Sequence, residues 1–202
     1  LIQVATPSKI KETVADSFKV NVPKEEEIIR ITPNAKNNFM DNLISKIDIL
    51  DGKVSESLIS KNSDNYTSKD ILYKTMNYMQ DIDLSDDITI ALESDKLAKI
   101  TNALINRIEK GCEDMGIDMN KTFLLSPNIF VIYFLLSNKV AKDNNLTNIQ
   151  SYADSLILAT QEDYINEEVK NLKLYKKNCN LDNAIKFFEN YVIKGDKNVW
   201  FY

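Results

Sequence analysis

The 202-residue chain has no histidine. This removes the side chain best suited to proton transfer near neutrality, the usual activator of serine or cysteine nucleophiles, and a principal ligand of zinc and iron. The two cysteines, Cys112 and Cys179, are too few for a zinc site of their own and fit no CxxC spacing. Free thiols in a reducing compartment are expected. Arginine occurs only as Arg30 and Arg107, and the formal net charge is −5. A lysine-based, acidic chain is a poor general binder of nucleic acid, so nucleic acid is a disfavoured partner, though not an excluded one. The longest apolar run, Ile129 to Leu136, is eight residues. As a helix it covers about 12 Å against the roughly 30 Å of a bilayer core, so no membrane span is expected. Four glycines and four prolines leave no glycine-rich phosphate loop and little turn punctuation, which favours long helices.

What is present is a globular composition, 44% hydrophobic and 27% charged. Apolar residues recur mainly at helical spacing. Thr6 and Pro7 can open a short helix with Ile10, Val14 and Phe18 on one face. Thr32 and Pro33 predict a second start, with Phe39, Leu43, Ile47 and Leu50 behind them and Gly52 as the stop. Val54 to Ser60 reads as a shorter helix, and Ser68 as the cap of one carrying Ile71, Leu72, Met76 and Met79. Ser85 opens a short piece through Leu92, and Ser94 caps a separate helix with Leu97, Ile100, Leu104 and Ile108, ended by Gly111. Ile28–Ile31 and Ile88–Ile90 suit short strands. Ser126 and Pro127 open the most apolar helix, through Val140, which should be the centre of the core. Three more stripes follow: Ile149, Tyr152, Leu156 and Ile157; then, after a break near Thr160, Ile165, Val169, Leu172 and Tyr175; then Leu181, Ala184, Ile185, Phe188 and Val192, capped by Asn180 and stopped by Gly195. The expected fold is all-α: an irregular multi-helix globular domain of seven or eight helices, with at most a minor two-stranded element and an extended N-terminal arm. Residues 1–32 form the arm with its short helix, 33–195 a single helical domain, and 196–202 an apolar tail.

No constellation names a catalytic residue. Asp81, Asp83, Ser85 and Asp87 alternate like the oxygen ligands of a calcium loop. The sixth position is Asp86 instead of glycine, however, and the twelfth is Leu92 instead of glutamate. Solvated acids ahead of a helix N-terminus explain them as well. Glu109 and Glu113 share a face only if a helix continues past Gly111. Ser8 and Lys11 match the bare SxxK spacing without its companion motifs. Lys170, Lys173, Lys176 and Lys177 flank Tyr175 in a pattern that can bind single strands. The plainer account turns Val169, Leu172 and Tyr175 inward and wets the lysines. No cofactor is implied.

The ends make a different demand. Val199, Trp200, Phe201 and Tyr202 follow a polar turn, and large apolar groups at a chain end need a pocket. The Ile10, Val14 and Phe18 stripe cannot hold a short helix together in water and must dock. These seven residues are the candidate partner contacts. The partner is protein, through self-association or in a larger assembly. High Asn, Ile and Lys with little Arg suggests an AT-rich coding genome, as many phages and viruses have. The leading expectation is a non-enzymatic structural or assembly protein, cytoplasmic or virion-associated. The alternatives are a regulatory protein binding protein or nucleic acid, and a metal-dependent enzyme built on carboxylates.

Overall fold

The computed structural model describes residues 25–57 and 64–195, with backbone only for 25–33. Two compact units divide the chain, residues 1–34 and 35–202. The described residues contain seven α-helices and one two-stranded parallel sheet, so the chain is all-α with a minor sheet. The helices are α1 (Glu25–Ile44), α2 (Lys69–Leu72), α3 (Asp87–Asp114), α4 (Ile129–Asp143), α5 (Asn148–Ala159), α6 (Asp163–Asn171) and α7 (Leu181–Phe188).

The segment opened by Ser126 and Pro127 is the centre of the second unit, as its composition predicts. Ile129, Phe130, Val131, Ile132, Tyr133 and Phe134 of α4 are all buried. A helix apolar on every face has to be surrounded. Helix α3 packs on α4 and on α5, and Tyr133 inside this core donates its hydroxyl to the Leu124 carbonyl at 2.7 Å. Asn128 does not cap α4 with its side chain. Its Nδ2 donates instead to the carbonyls of Leu174 and Lys176, at 2.8 and 2.9 Å, tying the chain after α6 to the start of α4.

The sheet is short: Val54–Ser55 (β1) pairs in parallel with Thr67–Ser68 (β2). It lies where a short helix was expected from Val54. Thr67 Oγ1 donates to the Pro127 carbonyl at 2.9 Å and the Tyr66 ring stacks on Phe130, so the sheet is anchored to α4 by its second strand. The two expected strands, Ile28–Ile31 and Ile88–Ile90, are helical.

Three boundaries differ from the sequence pattern. Helix α1 begins at Glu25 and runs through Pro33, although an interior proline forfeits one backbone bond. It ends at Ile44. Ile47 and Leu50 are buried as the stripe requires, but they belong to a turn and a 3₁₀ segment, Asp48–Leu50. The reason is Asn102 of α3, whose Nδ2 donates to the Lys46 carbonyl at 2.8 Å and whose Oδ1 accepts from the Asp48 amide at 3.1 Å. These bonds satisfy backbone groups that further helix would otherwise have satisfied.

Helix α3 is a single helix of 28 residues, where a short piece and a separate helix were expected. Its cap is Asp86, which accepts from the Thr89 amide at 2.8 Å. Ser94 is interior and buried, with its hydroxyl donating to the Ala91 carbonyl at 2.9 Å. Gly111 also lies inside the helix. It serves as a point of close approach: a methyl there would overlap Ile157 Cδ1 of α5.

Helix α6 ends at Asn171, and Lys173 takes a left-handed conformation with φ 58°. The Leu174 amide then reaches back to the Val169 carbonyl at 3.3 Å, a Schellman closure. The turn moves the periodicity off the helical stripe. Leu174 is buried and Tyr175 is half-exposed, the reverse of the inward Tyr175 that helical spacing suggested. Helix α7 is capped by Asn180 and continues as a π-helical turn, Glu189–Ile193, before Gly195 turns the chain with φ 65°.

Candidate functional site

The outward face of α3 carries the most unusual surface. Ile88 and Leu92, one helical turn apart, are 75% and 63% exposed. The same face continues through Lys96, Lys99 and Ala103, all exposed. Steps of three and four residues keep these five side chains on one side of the helix. The face is therefore apolar at its N-terminal end and basic further along, with the exposed acids Asp83, Asp86 and Asp87 immediately before the apolar pair.

The apolar end is not isolated. Leu92 and Ile100 of α3, Val140 of α4 and Leu146 line a surface groove of about 380 Å³, with Lys96 and Lys99 at its edge. Leu146 is 64% exposed. Its position follows from local chemistry. Asn144 ends α4 in the left-handed region, φ 47°. Asn145 Oδ1 then accepts from the Thr147 amide at 3.2 Å and from its hydroxyl at 2.6 Å. This Asx turn holds Leu146 at its tip.

Charge at the groove is partly matched. Asp95 pairs with Lys46 at 2.5 Å, and that bond holds its carboxyl below the usual carboxylate range. Lys96 and Lys99 have no ion pair among the described residues.

A second cavity, about 310 Å³, lies between α4 and the α7 end. Ile132, Leu136, Phe188 and Ile193 form its apolar wall, and Lys139, Glu189 and Lys194 stand at its mouth. Lys139 is paired with Asp143 at 2.9 Å.

The acidic residues singled out by spacing are engaged separately. Asp81 takes φ 59° and accepts from Lys142 Nζ at 2.5 Å. Asp83 accepts from the Ser85 amide at 2.9 Å, and Asp87 lies in the first turn of α3. Among the described residues no three Asp, Glu or Cys side chains come together in a way that could hold a metal ion. Glu109 and Glu113 do share a face, because α3 continues past Gly111. Burial, and then the charge of Asp48, raise the Glu109 carboxyl above its ordinary value.

The polar group richest in chemistry joins α1, the residue after β1, α2 and the 3₁₀ turn that follows. Tyr73 donates to Asp41 Oδ1 at 2.6 Å, and Lys69 lies 3.6 Å from Asp41 and 3.0 Å from Glu56. Burial, then the bond to Asp41, push the Tyr73 phenol up to about 12. A phenol kept protonated in this way is a hydrogen-bond donor and not a base at neutral pH.

Lys170, Lys173, Lys176 and Lys177 fall on one exposed stretch with Tyr175 among them. Lys170 is held by Glu167 at 2.8 Å. Both cysteines are free thiols. Cys112 is buried and Cys179 partly so, and burial pushes the Cys179 thiol up to about 11. Ile10, Val14, Phe18, Val199, Trp200, Phe201 and Tyr202 lie outside the described residues.

Ile88, Leu92 and Leu146 were not recognised as surface residues from sequence. The signal was present in the phase of α3. At about 100° per residue, Leu92 lies about 140° and Ile88 about 180° from Leu97, on the opposite side from the core stripe. Treating Ser94 as a cap interrupts that phase and hides the offset.

The chain is thus an all-α protein with an exposed helix face grading from apolar to basic. No helix among the described residues is long and apolar enough to cross a membrane. No family model, curated protein or solved structure matches the chain.

Proposed function

We propose that this protein is a non-enzymatic structural or assembly component whose work is to make protein–protein contacts. One observation carries the reading: Leu92 and Leu146 are large aliphatic groups exposed on opposite sides of one groove, with exposed Ile88 one helical turn before Leu92. Scattered exposed leucines are ordinary, but a group of them beside a groove marks an interaction surface. The apolar segments at the two ends, Ile10, Val14 and Phe18 and then Val199 to Tyr202, belong to the same proposal on the strength of their sequence. A role in a virion is the finer form of it, supported by the high Asn, Ile and Lys content with only two arginines, the usage expected of an AT-rich genome.

The test is the mass of the purified protein by light scattering, alone and after Leu92→Asp with Leu146→Asp. An assembly larger than one chain, reduced by the double substitution with the circular dichroism unchanged, is the expected result. A monomer, or an assembly indifferent to the substitutions, would reject the reading.

Tyr175 favours a second reading. Its half-exposed ring among Lys173, Lys176 and Lys177 is a stacking platform within a basic stretch. That reading requires salt-sensitive retardation of a labelled oligonucleotide, abolished by Lys173→Glu with Lys176→Glu.

A further inference from the structure

We propose that the cavity between α4 and the α7 end is the seat of this chain's own C-terminal segment, with Trp200 as the side chain that enters it. The inference goes beyond the assembly reading and does not depend on the α3 surface. It gives an occupant to a recess of about 310 Å³ whose wall includes Ile132, Leu136, Phe188 and Ile193.

Continuity of the chain carries the argument. Ile193 and Lys194 line the cavity, so the last described residues stand at its rim. Gly195 turns the chain there with φ 65°. Asp196, Lys197 and Asn198 follow, a polar run with no demand for burial, and then come Val199, Trp200, Phe201 and Tyr202. Only four residues, Gly195 to Asn198, separate the rim from the apolar run. Fully extended they reach about 14 Å, so the run starts close to the mouth whatever path they take. A tether this short gives the segment a local concentration on the order of millimolar at its own cavity.

The chemistry of the cavity selects the same occupant. Its wall is apolar, and the charges at its mouth balance. Lys139 is paired with Asp143 at 2.9 Å, and Glu189 and Lys194 are of opposite sign. A balanced mouth gives no preference to a charged ligand, whereas a large ring gains most from leaving water. The volume suits one large ring and not four, and Trp200 is the largest residue of the run. Glu189 and Ile193 come from the π-helical turn, a geometry that recurs at functional sites. Exchange of the segment between copies, each filling the other's cavity, is the form in which it would serve an assembly.

Trp200 is the only tryptophan of the chain, so its fluorescence reads the segment directly. In the folded chain its emission is expected to be blue-shifted from that in urea. Acrylamide quenching should be at least threefold weaker than in urea, and the same after hundredfold dilution. Leu135→Asp, at a half-buried position of the cavity wall, should raise the quenching at least twofold with the circular dichroism unchanged. Ile193→Asp at the rim gives the same readout if the first variant fails to fold. Leu92→Asp, in the other groove, should leave Trp200 as it was. Equal quenching in the folded chain and in urea overturns the inference, since the ring is then in water. Shielding that survives both wall variants, or that Leu92→Asp removes, overturns it by placing the ring elsewhere. Shielding lost on dilution gives the seat to a neighbouring copy's segment and overturns docking within one chain.

Discussion

Gly111 of α3 faces Ile157 of α5 so closely that no methyl group fits between them. A glycine in mid-helix costs about 1 kcal/mol relative to alanine, and here the close packing of two helices is what it allows. Gly111→Ala gains that propensity but forces the Ile157 side chain out of its place, an overpacking cost of about 1–3 kcal/mol. The net expectation is a loss of stability. Ile157→Val removes the obstructing Cδ1, so it should relieve the damage in the double variant. Urea unfolding of the four chains checks this, and strict additivity would show that the two residues do not couple.

Asn128 should matter more than its polar side chain suggests. It is buried and serves two carbonyls, those of Leu174 and Lys176. Asn128→Ala removes one donor from each. The Leu174 carbonyl keeps the Asn128 backbone amide at 3.4 Å and the Lys176 carbonyl the Cys179 amide at 3.2 Å, so the cost is that of two lost hydrogen bonds, about 1–2 kcal/mol. Hydrogen exchange should rise first in residues 172–180, because that stretch is what the amide holds. Equal acceleration throughout the chain would contradict this local role.

Tyr78 gives a dependence on alkaline pH. Its hydroxyl donates to Asp182 Oδ1 at 2.6 Å. That bond, and then burial, push the phenol up to about 12 from its ordinary value of 10.0. A pKa raised in the folded state means the stabilisation is complete below about 10 and fades as pH climbs towards 12. Tyr78→Phe should therefore cost about 1 kcal/mol at neutral pH. The gap between wild type and variant should be constant from pH 6 to 9 and narrow above pH 10. A gap that widens above pH 10 would reverse the sign and reject the account.

The architecture was largely legible in the sequence because its strongest signals are stripes. Leu97, Leu104 and Ile108 on α3, and the run from Ile129 to Phe134 on α4, point inward because no other arrangement removes so much apolar surface from water. What could not be read was settled by tertiary partners. Ser94 and Gly111 look like helix boundaries locally, yet α3 passes both, since α5 needs the glycine's space and Lys46 Nζ donates to the Ser94 hydroxyl. Ile47 and Leu50 were recognised as inward, but the turn holding them depends on Asn102, more than fifty residues later. Helical spacing places Tyr175 inward, but one left-handed lysine, Lys173, breaks the periodicity before it.

The candidate surface was harder to see, because an exposed leucine looks like a core leucine until the helix phase is followed through. Once α3 is known to be continuous, Ile88 and Leu92 have no place inside it. The groove that Leu92 shares with Leu146 also depends on an Asx turn, a feature of three residues that carries no apolar pattern.

That turn has a consequence for recognition. Because Asn145 binds Thr147 whether or not anything is docked, the tip bearing Leu146 is immobilised when the chain folds. An incoming surface would meet a preset projection and would not have to order a loop, so little conformational entropy would remain to be lost on contact.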